Sequence, residues 1–184
     1  MSAITAEQAL TVLRQAELLC TPAQIAAAYD QLATAITAEL EHRDPLALIV
    51  MNGAFIPAAQ LLSRLKFPLR VGYLHATRYR SGTRGGDLDW IALPCPDVAD
   101  RVVLVIDDIF DEGDTLKAIL AEVRRQGAAA VYSAVLVNKR HDRKVAGFSV
   151  DFVGLEVPDR YVFGCGMDYC EYWRNLPAIY AAAD

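Results

Sequence analysis

Val102-Val-Leu-Val-Ile-Asp-Asp-Ile-Phe-Asp-Glu-Gly-Asp-Thr-Leu116 is the stretch on which the fold turns. Five apolar residues, Val102 to Ile106, suit a strand buried on both faces. Asp107 and Asp108 follow, then a turn at Asp111-Glu112-Gly113-Asp114-Thr115, then an apolar helix pattern through Leu116, Ile119, Leu120 and Val123. Five acids within residues 107–114 would be costly in a core, because each ionised carboxylate needs a partner. They are expected in the crevice beyond the carboxyl end of the strand, where open α/β sheets bind ligands. An acidic, solvated turn is the competing reading. The succession of strand, paired Asp, Gly-containing turn and helix favours a site.

The 184 residues suit one domain spanning 1–184, and a 54% hydrophobic composition supports a substantial core. A net charge of −5 argues against nucleic acid as a partner, which would need a basic face. Residues 1–19 contain Glu7 and no basic stretch, so no secretory signal is expected. No apolar run approaches the ~20 residues of a membrane span. Cys20, Cys95, Cys165 and Cys170 form no Cys-x-x-Cys pair, and His42, His75 and His141 are spread apart, which argues against zinc. The expectation is a cytoplasmic protein with reduced cysteines and no membrane partner.

Two helices are predicted first. Thr5 caps one, with Leu10, Leu13 and Leu18 at helical spacing. Thr21-Pro22-Ala23-Gln24 opens the other with a capping box, and Ile25, Tyr29, Leu32 and Ile36 form its apolar stripe. Strands are predicted at 46–51, 69–74, 90–93, 131–137, 152–153 and 161–163, with a helix through Leu61, Leu62 and Leu65 after Asn52-Gly53-Ala54. The polar, glycine-rich stretch 77–89 is too long for an ordinary turn and is expected to be a lid or a disordered connection. Alternating strands and helices imply a mostly parallel central sheet flanked by helices, an α/β fold.

The central motif resembles the phosphoribosyl-pyrophosphate signature of type I phosphoribosyltransferases. The tail Gly154-Leu-Glu-Val-Pro-Asp-Arg-Tyr-Val-Phe-Gly-Cys-Gly-Met-Asp-Tyr-Cys-Glu-Tyr-Trp-Arg174 and the pair Lys139-Arg140 are similar to the purine-salvage branch, the hypoxanthine-guanine phosphoribosyltransferases. The resemblance covers roughly residues 10–180, with the motifs in the family's order. It implies a type I fold with a small hood and a flexible lid. The implied reaction displaces pyrophosphate from phosphoribosyl pyrophosphate with a 6-oxopurine nitrogen, through an oxocarbenium-like transition state. It further implies magnesium as cofactor and a homo-oligomer, dimer or tetramer. A xanthine-preferring enzyme and a non-catalytic nucleotide-binding regulator on the same fold are the alternatives.

Residue roles follow from the resemblance. Asp107 and Asp108 would hold the ribose hydroxyls, and Asp111 would be the general base at the purine N7 proton. Asp111 is expected to have a raised pKa beside so many acids. Glu112, Gly113, Asp114 and Thr115 would form the 5′-phosphate cradle at a helix N-terminus. The commoner pattern has Thr and Lys where this chain has Glu112 and Asp114. Both carboxylates are therefore expected to face solvent or cations such as the lid arginines. Met51, Asn52 and Gly53 would form the pyrophosphate loop, often with a cis peptide between its first two positions, and Asn52 replaces the common Lys. Lys139 would read the purine 6-oxo group, Tyr161 would stack on the base, and Val162 would meet its 2-position. Asp168 and Asp107 would bind the metal, Arg174 the pyrophosphate, and Tyr79 and Arg80 would belong to the lid. Glu171 is expected on a solvent-facing helix.

Overall fold

The coordinates, a computed structural model, describe residues 4–78 and 88–183. Most of the expected lid, with Tyr79 and Arg80, lies outside the described residues. Strand β5, Val102–Phe110, runs four residues further than its opening apolar run implies. It pairs in parallel with β2, Leu46–Val50, on one side and with β6, Ala130–Arg140, on the other. The long β6 supplies partners out to Ile109↔Val137 and Phe110↔Asn138. Asp107 and Asp108 therefore sit on the last part of the strand, partly buried, rather than beyond its end.

The six-stranded sheet has the order β4-β3-β2-β5-β6-β7. Strands β3 (Arg70–Arg78) and β7 (Phe152–Pro158) are parallel to the centre, while β4 (Leu88–Cys95) is an antiparallel edge. The chain leaves β2 toward β3 and leaves β5 toward β6, in opposite directions, so the strand order switches between β2 and β5. That switch opens a crevice at the carboxyl ends, between the loops after Val50 and Phe110.

Two cores cover the two faces. In β5 the side chains alternate, as a pleated strand requires. Leu104 and Ile106 pack with α2 (Pro22–Leu40) and α3 (Phe55–Leu62), through Ile25, Tyr29, Leu32, Ile36 and Leu61. Val103 and Val105 pack with Leu116, Ile119, Leu120 and Val123 of α4 (Asp114–Arg125). Each such aliphatic side chain, fully buried, contributes roughly 1.5–3 kcal/mol. The α2 layer lies close to the sheet at Gly154, where an added Cβ would come within 2.8 Å of the Leu136 carbonyl oxygen and 3.0 Å of Leu32.

The capping boxes at Thr5 and Thr21 both form. The first helix, α1, is Ala6–Gln15, shorter than its leucine spacing predicts. Leu18 falls instead in β1, Glu17–Cys20, which joins β9 (Ile179–Ala181) and β8 (Val162–Phe163) in a small antiparallel sheet of order β1-β9-β8. This is the hood. Its strands are two to four residues long, too short to leave an alternation in the sequence. The tail between β8 and β9 is a chain of turns rather than a helix, with Cys165, Cys170, Glu171 and Trp173 in left-handed backbone conformations. Glu171 is thus a turn residue, which corrects the helix expected there. Among the described residues, no helix is long and apolar enough to cross a membrane.

Candidate active site

The carboxyl ends of β2 and β5 carry two loops that meet. The first is Met51-Asn52-Gly53-Ala54, where the peptide between Met51 and Asn52 is cis. Gly53 lies against β5 so closely that a Cβ there would stand 2.2 Å from Asp108 Oδ2. The tail joins from the far end of the chain. A Cβ on Gly166, at φ +101°, would lie 2.2 Å from the Gly53 carbonyl oxygen. Arg174 donates to the Gly166 carbonyl at 2.8 Å and pairs with Asp168 Oδ1 at 2.7 Å. Asp168 Oδ2 accepts the Glu171 amide at 2.8 Å. Asn52, Gly53, Asp108, Asp168 and Arg174 thus belong to one neighbourhood, assembled from three separate segments.

Asp107 and Asp108 are an acidic pair in a confined place. The Asp108 amide donates to Asp107 Oδ1 and the Ile109 amide to Asp108 Oδ1, each at 2.9 Å. Burial, then the adjacent Asp108 charge, pushes Asp107 well above the ordinary carboxylate value. Burial also raises Asp108, although its bond to Asp107 and the Arg174 charge pull the other way. Two crowded oxygen-bearing groups of this kind suit a hard divalent cation, whose charge would relieve both. Asp168 fits as well, since each of its engaged oxygens keeps a further lone pair.

Asp111, just past β5, stands between two donors. Lys139 Nζ donates to its Oδ2 and His141 Nε2 contacts its Oδ1, both at 2.7 Å. Burial alone would raise the Asp111 pKa, but these two hydrogen bonds and the Lys139 charge outweigh it and hold the carboxyl below its ordinary value. This reverses the expectation from local sequence. The acids that crowd Asp111 along the chain matter less than cations brought from the end of β6. The Lys139 side chain is 11% exposed while Asp111 is 43% exposed, so water reaches the pair from the carboxylate side.

The loop from Asp111 to Thr115 is braced from behind by residues 141–147, which sequence reading passed over. Lys144 Nζ donates to the carbonyls of Phe110 and Asp111, each at 3.1 Å, and sits 3.7 Å from the Phe110 ring centroid. Burial lowers the Lys144 pKa, with the Asp111 charge opposing. The Val145 amide donates to the Glu112 carbonyl at 2.8 Å. With loop carbonyls turned to this brace, the amides at the start of α4 remain for an anion. Gly113 makes the turn at φ +91°. Glu112 Oε1 lies 3.9 Å from Arg143 Nε, so the cation it faces is Arg143. Arg143 in turn grips Asp159 with two bonds, at 2.6 and 2.9 Å. Asp114 is the first residue of α4, where a negative charge complements the helix dipole. Thr115 follows it in the first turn, partly buried.

The hood contributes Tyr161 and Val162. Tyr161 is 41% exposed, with its ring edge-on to Tyr169 at 5.1 Å, while Val162 is buried and pairs with Ala181. Under the site, the Tyr29 hydroxyl and Cys165 thiol are 3.3 Å apart, both raised in pKa chiefly by burial. Cys20 and Cys165 are buried thiols outside any disulfide.

Comparison with known proteins decides the family. The Phosphoribosyl transferase domain family matches residues 20–170. The hypoxanthine-guanine phosphoribosyltransferase of Bacillus subtilis is 35% identical over 150 residues, covering 81% of this chain and 83% of that protein. This chain belongs to the hypoxanthine-guanine phosphoribosyltransferase family. A bifunctional TilS/HprT protein of Listeria innocua is 36% identical over 150 residues, and the chain spans 23% of its length. A solved hypoxanthine phosphoribosyltransferase of Staphylococcus aureus superposes with a TM-score of 0.88 at 25% identity, over 94% of this chain and 95% of that one. The six-stranded sheet, the crevice and the hood are accordingly the type I phosphoribosyltransferase-like fold.

Proposed function

We propose that the protein transfers the 5-phosphoribosyl group of phosphoribosyl pyrophosphate to hypoxanthine or guanine, releasing pyrophosphate. The observation that carries the reading is the 2.7 Å contact between Asp111 and Lys139, which joins a base to a 6-oxo reader. Around it lie a helix N-terminus for the 5′-phosphate and a loop of exposed backbone for pyrophosphate. The protein acts as one domain in the cytoplasm, as a dimer or tetramer.

The 5′-phosphate is held by the amides of residues 112–115 and the Thr115 hydroxyl. Asp107 and Asp108 accept hydrogen bonds from the ribose hydroxyls, and their charge favours the cation that develops on the ribose. Arg174 and the amides of Asn52 and Gly53, in the loop that Met51 opens, take the pyrophosphate, the Ala54 amide being bound to the Val50 carbonyl. Asp168 and Asp107 would hold magnesium, which when bound would supply positive charge to offset the negative charge of pyrophosphate. Tyr161 stacks on the base beside Val162.

Lys139 cannot serve Asp111 and the purine equally. When its ammonium turns to the 6-oxo oxygen, Asp111 loses a cation and a hydrogen bond, and its proton affinity rises. The carboxylate thus becomes a better base when a 6-oxopurine is present to give up its N7 proton to it. Adenine offers an amino donor at that position and does not draw Lys139 away.

Steady-state kinetics with hypoxanthine, guanine, xanthine and adenine, with and without magnesium, tests this directly. Turnover of hypoxanthine or guanine is expected, with adenine unused. Asp111→Asn should lower kcat on the order of 10²–10⁴-fold with little change in substrate affinity. Absence of turnover with every base, or a parent-like kcat in Asp111→Asn, would refute the reading.

A further inference from the structure

We propose that His141 is the positioning residue for Asp111, holding its carboxylate through a hydrogen bond from Nε2 that persists when Lys139 turns to the purine. The inference rests on Asp111 being the base and adds a residue that its role requires.

The geometry fixes the tautomer. The Arg143 backbone amide donates to His141 Nδ1 at 3.1 Å, so Nδ1 must carry a lone pair. In the neutral ring the proton then belongs to Nε2, which donates to Asp111 Oδ1 at 2.7 Å. The His141 side chain is only 3% exposed, so its ring is closed to water even though Asp111 is 43% exposed. The amide that orients the ring belongs to the segment whose Lys144 also binds the Asp111 carbonyl. One short segment therefore holds both the backbone and the carboxylate of Asp111.

Lys139 and His141 differ in what they do to a base. Lys139 brings a full charge on a flexible stem, which suppresses basicity while it stays. His141 brings a neutral donor on a rigid ring, which fixes direction at a smaller cost in basicity. Once Lys139 turns away, Asp111 would be free to rotate without a second anchor, and proton transfer needs its lone pair aimed at N7. His141 occupies Oδ1 and leaves Oδ2, the oxygen that Lys139 vacates, to face the purine.

Other charges bear on this group. Lys139 comes from β6, and Arg143 and Lys144 come from the brace. Asp159 follows β7 and is paired with Arg143, and Glu112 lies across the phosphate loop. Asp111, His141 and Asp159 also place ligand-type atoms within 4.8 Å of one another. Each of the three already has a partner in Lys139, the Arg143 amide or the Arg143 guanidinium, and the cluster is explained as a hydrogen-bonded relay.

The test compares His141→Gln, His141→Asn and His141→Leu with Asp111→Asn, using hypoxanthine, phosphoribosyl pyrophosphate and magnesium. A Gln amide nitrogen lies near the place of Nε2, whereas the shorter Asn does not reach it. His141→Asn and His141→Leu should lose roughly 10- to 100-fold in kcat, as orienting partners of reacting groups do, with KM for both substrates within about threefold. His141→Gln should recover most of kcat. The acid limb of kcat/KM, which reports the free enzyme, should move to higher pH in the Leu and Asn variants because Asp111 has lost a donor. Nitrogen-15 NMR of the parent protein should show His141 as the Nε2-protonated tautomer. The Gln and Asn variants decide the matter if His141→Leu does not fold.

Equal impairment of the Gln and Asn variants, an unmoved acid limb, or an Nδ1-protonated ring would overturn the positioning role. Parent-like kcat in the His141 variants with an inactive Asp111→Asn would overturn it alone. A parent-like Asp111→Asn would overturn the base assignment as well.

Discussion

Replacing Gly113 with Ala attacks the turn between β5 and α4 in two ways. The backbone stands at φ +91°, a region that costs an L-residue roughly 1–2 kcal/mol. The new methyl group would also lie 2.2 Å from Cε2 of Phe110. That ring cannot easily retreat. It is 4% exposed, edge-on to Phe148 at a centroid distance of 5.5 Å, and covered by Lys144 on its face. Overpacking of this kind costs about 1–3 kcal/mol. The sum, ~2–5 kcal/mol, corresponds to a fall in Tm of roughly 4–20 °C for a protein of this size. Thermal and urea unfolding of the Gly113→Ala protein measure it. Phe110→Leu, combined with Gly113→Ala, separates the two contributions, because Leu has no atom at Cε2. The double variant should be less destabilised than the sum of the singles by about 1 kcal/mol or more, the size expected for residues in contact. A Gly113→Ala protein melting within about 1 °C of the parent, or a strictly additive pair, would show that the clash is absorbed. The turn would then not depend on glycine.

Asp107→Asn should stabilise the ligand-free protein while impairing catalysis, by the roughly 0.5–2 kcal/mol typical when a site is relieved of a functional burden. The sign follows from the raised folded-state value of Asp107: both states are protonated below about pH 4, and the native state alone keeps its proton just above that. The stability gap between variant and parent should therefore open as pH rises from about 4 through the folded-state pKa, and a gap that closes instead would sink the argument. Lys139→Ala should cost on the order of 2 kcal/mol in kcat/KM for 6-oxopurines and shrink the discrimination against adenine. Unchanged hypoxanthine kinetics would assign the 6-position to another residue. Thr115→Ala should raise KM for phosphoribosyl pyrophosphate, whereas Glu112→Gln should change it little because Glu112 faces Arg143. A tenfold better KM in Glu112→Gln would mean that the carboxylate faces the phosphate.

The parts of this molecule that could be read from its sequence are those with local causes. The β5 strand, the α4 stripe and both capping boxes each rest on residues within a turn or two of one another, and all are present. The family motifs supplied the candidate site residues because they fix residue types at set places along the chain. What could not be read is where segments meet. Asp111 looked like an acid among acids, and its actual neighbours, Lys139 and His141, arrive from the end of β6. His141 had a signal in its place two residues beyond Lys139, but nothing local says which way its ring turns. The strands β1 and β9 of the hood, which the resemblance implied but did not place, escaped for another reason. β1 and β9 are short and pair across nearly the whole chain, so neither has a periodicity of its own.

The contact between Gly53 and Gly166 has a bearing on how the protein can change. Two loops with different duties touch there through backbone alone, with the site of an absent Cβ 2.2 Å from a carbonyl oxygen. Gly166 cannot gain a side chain unless the facing loop is rebuilt, since backbone offers no rotamer by which to yield, while a side chain on Gly53 would meet the Asp108 carboxylate of β5 instead. The two segments are thus tied as a single inherited unit. A graft of one loop from a relative should succeed only when the facing loop travels with it.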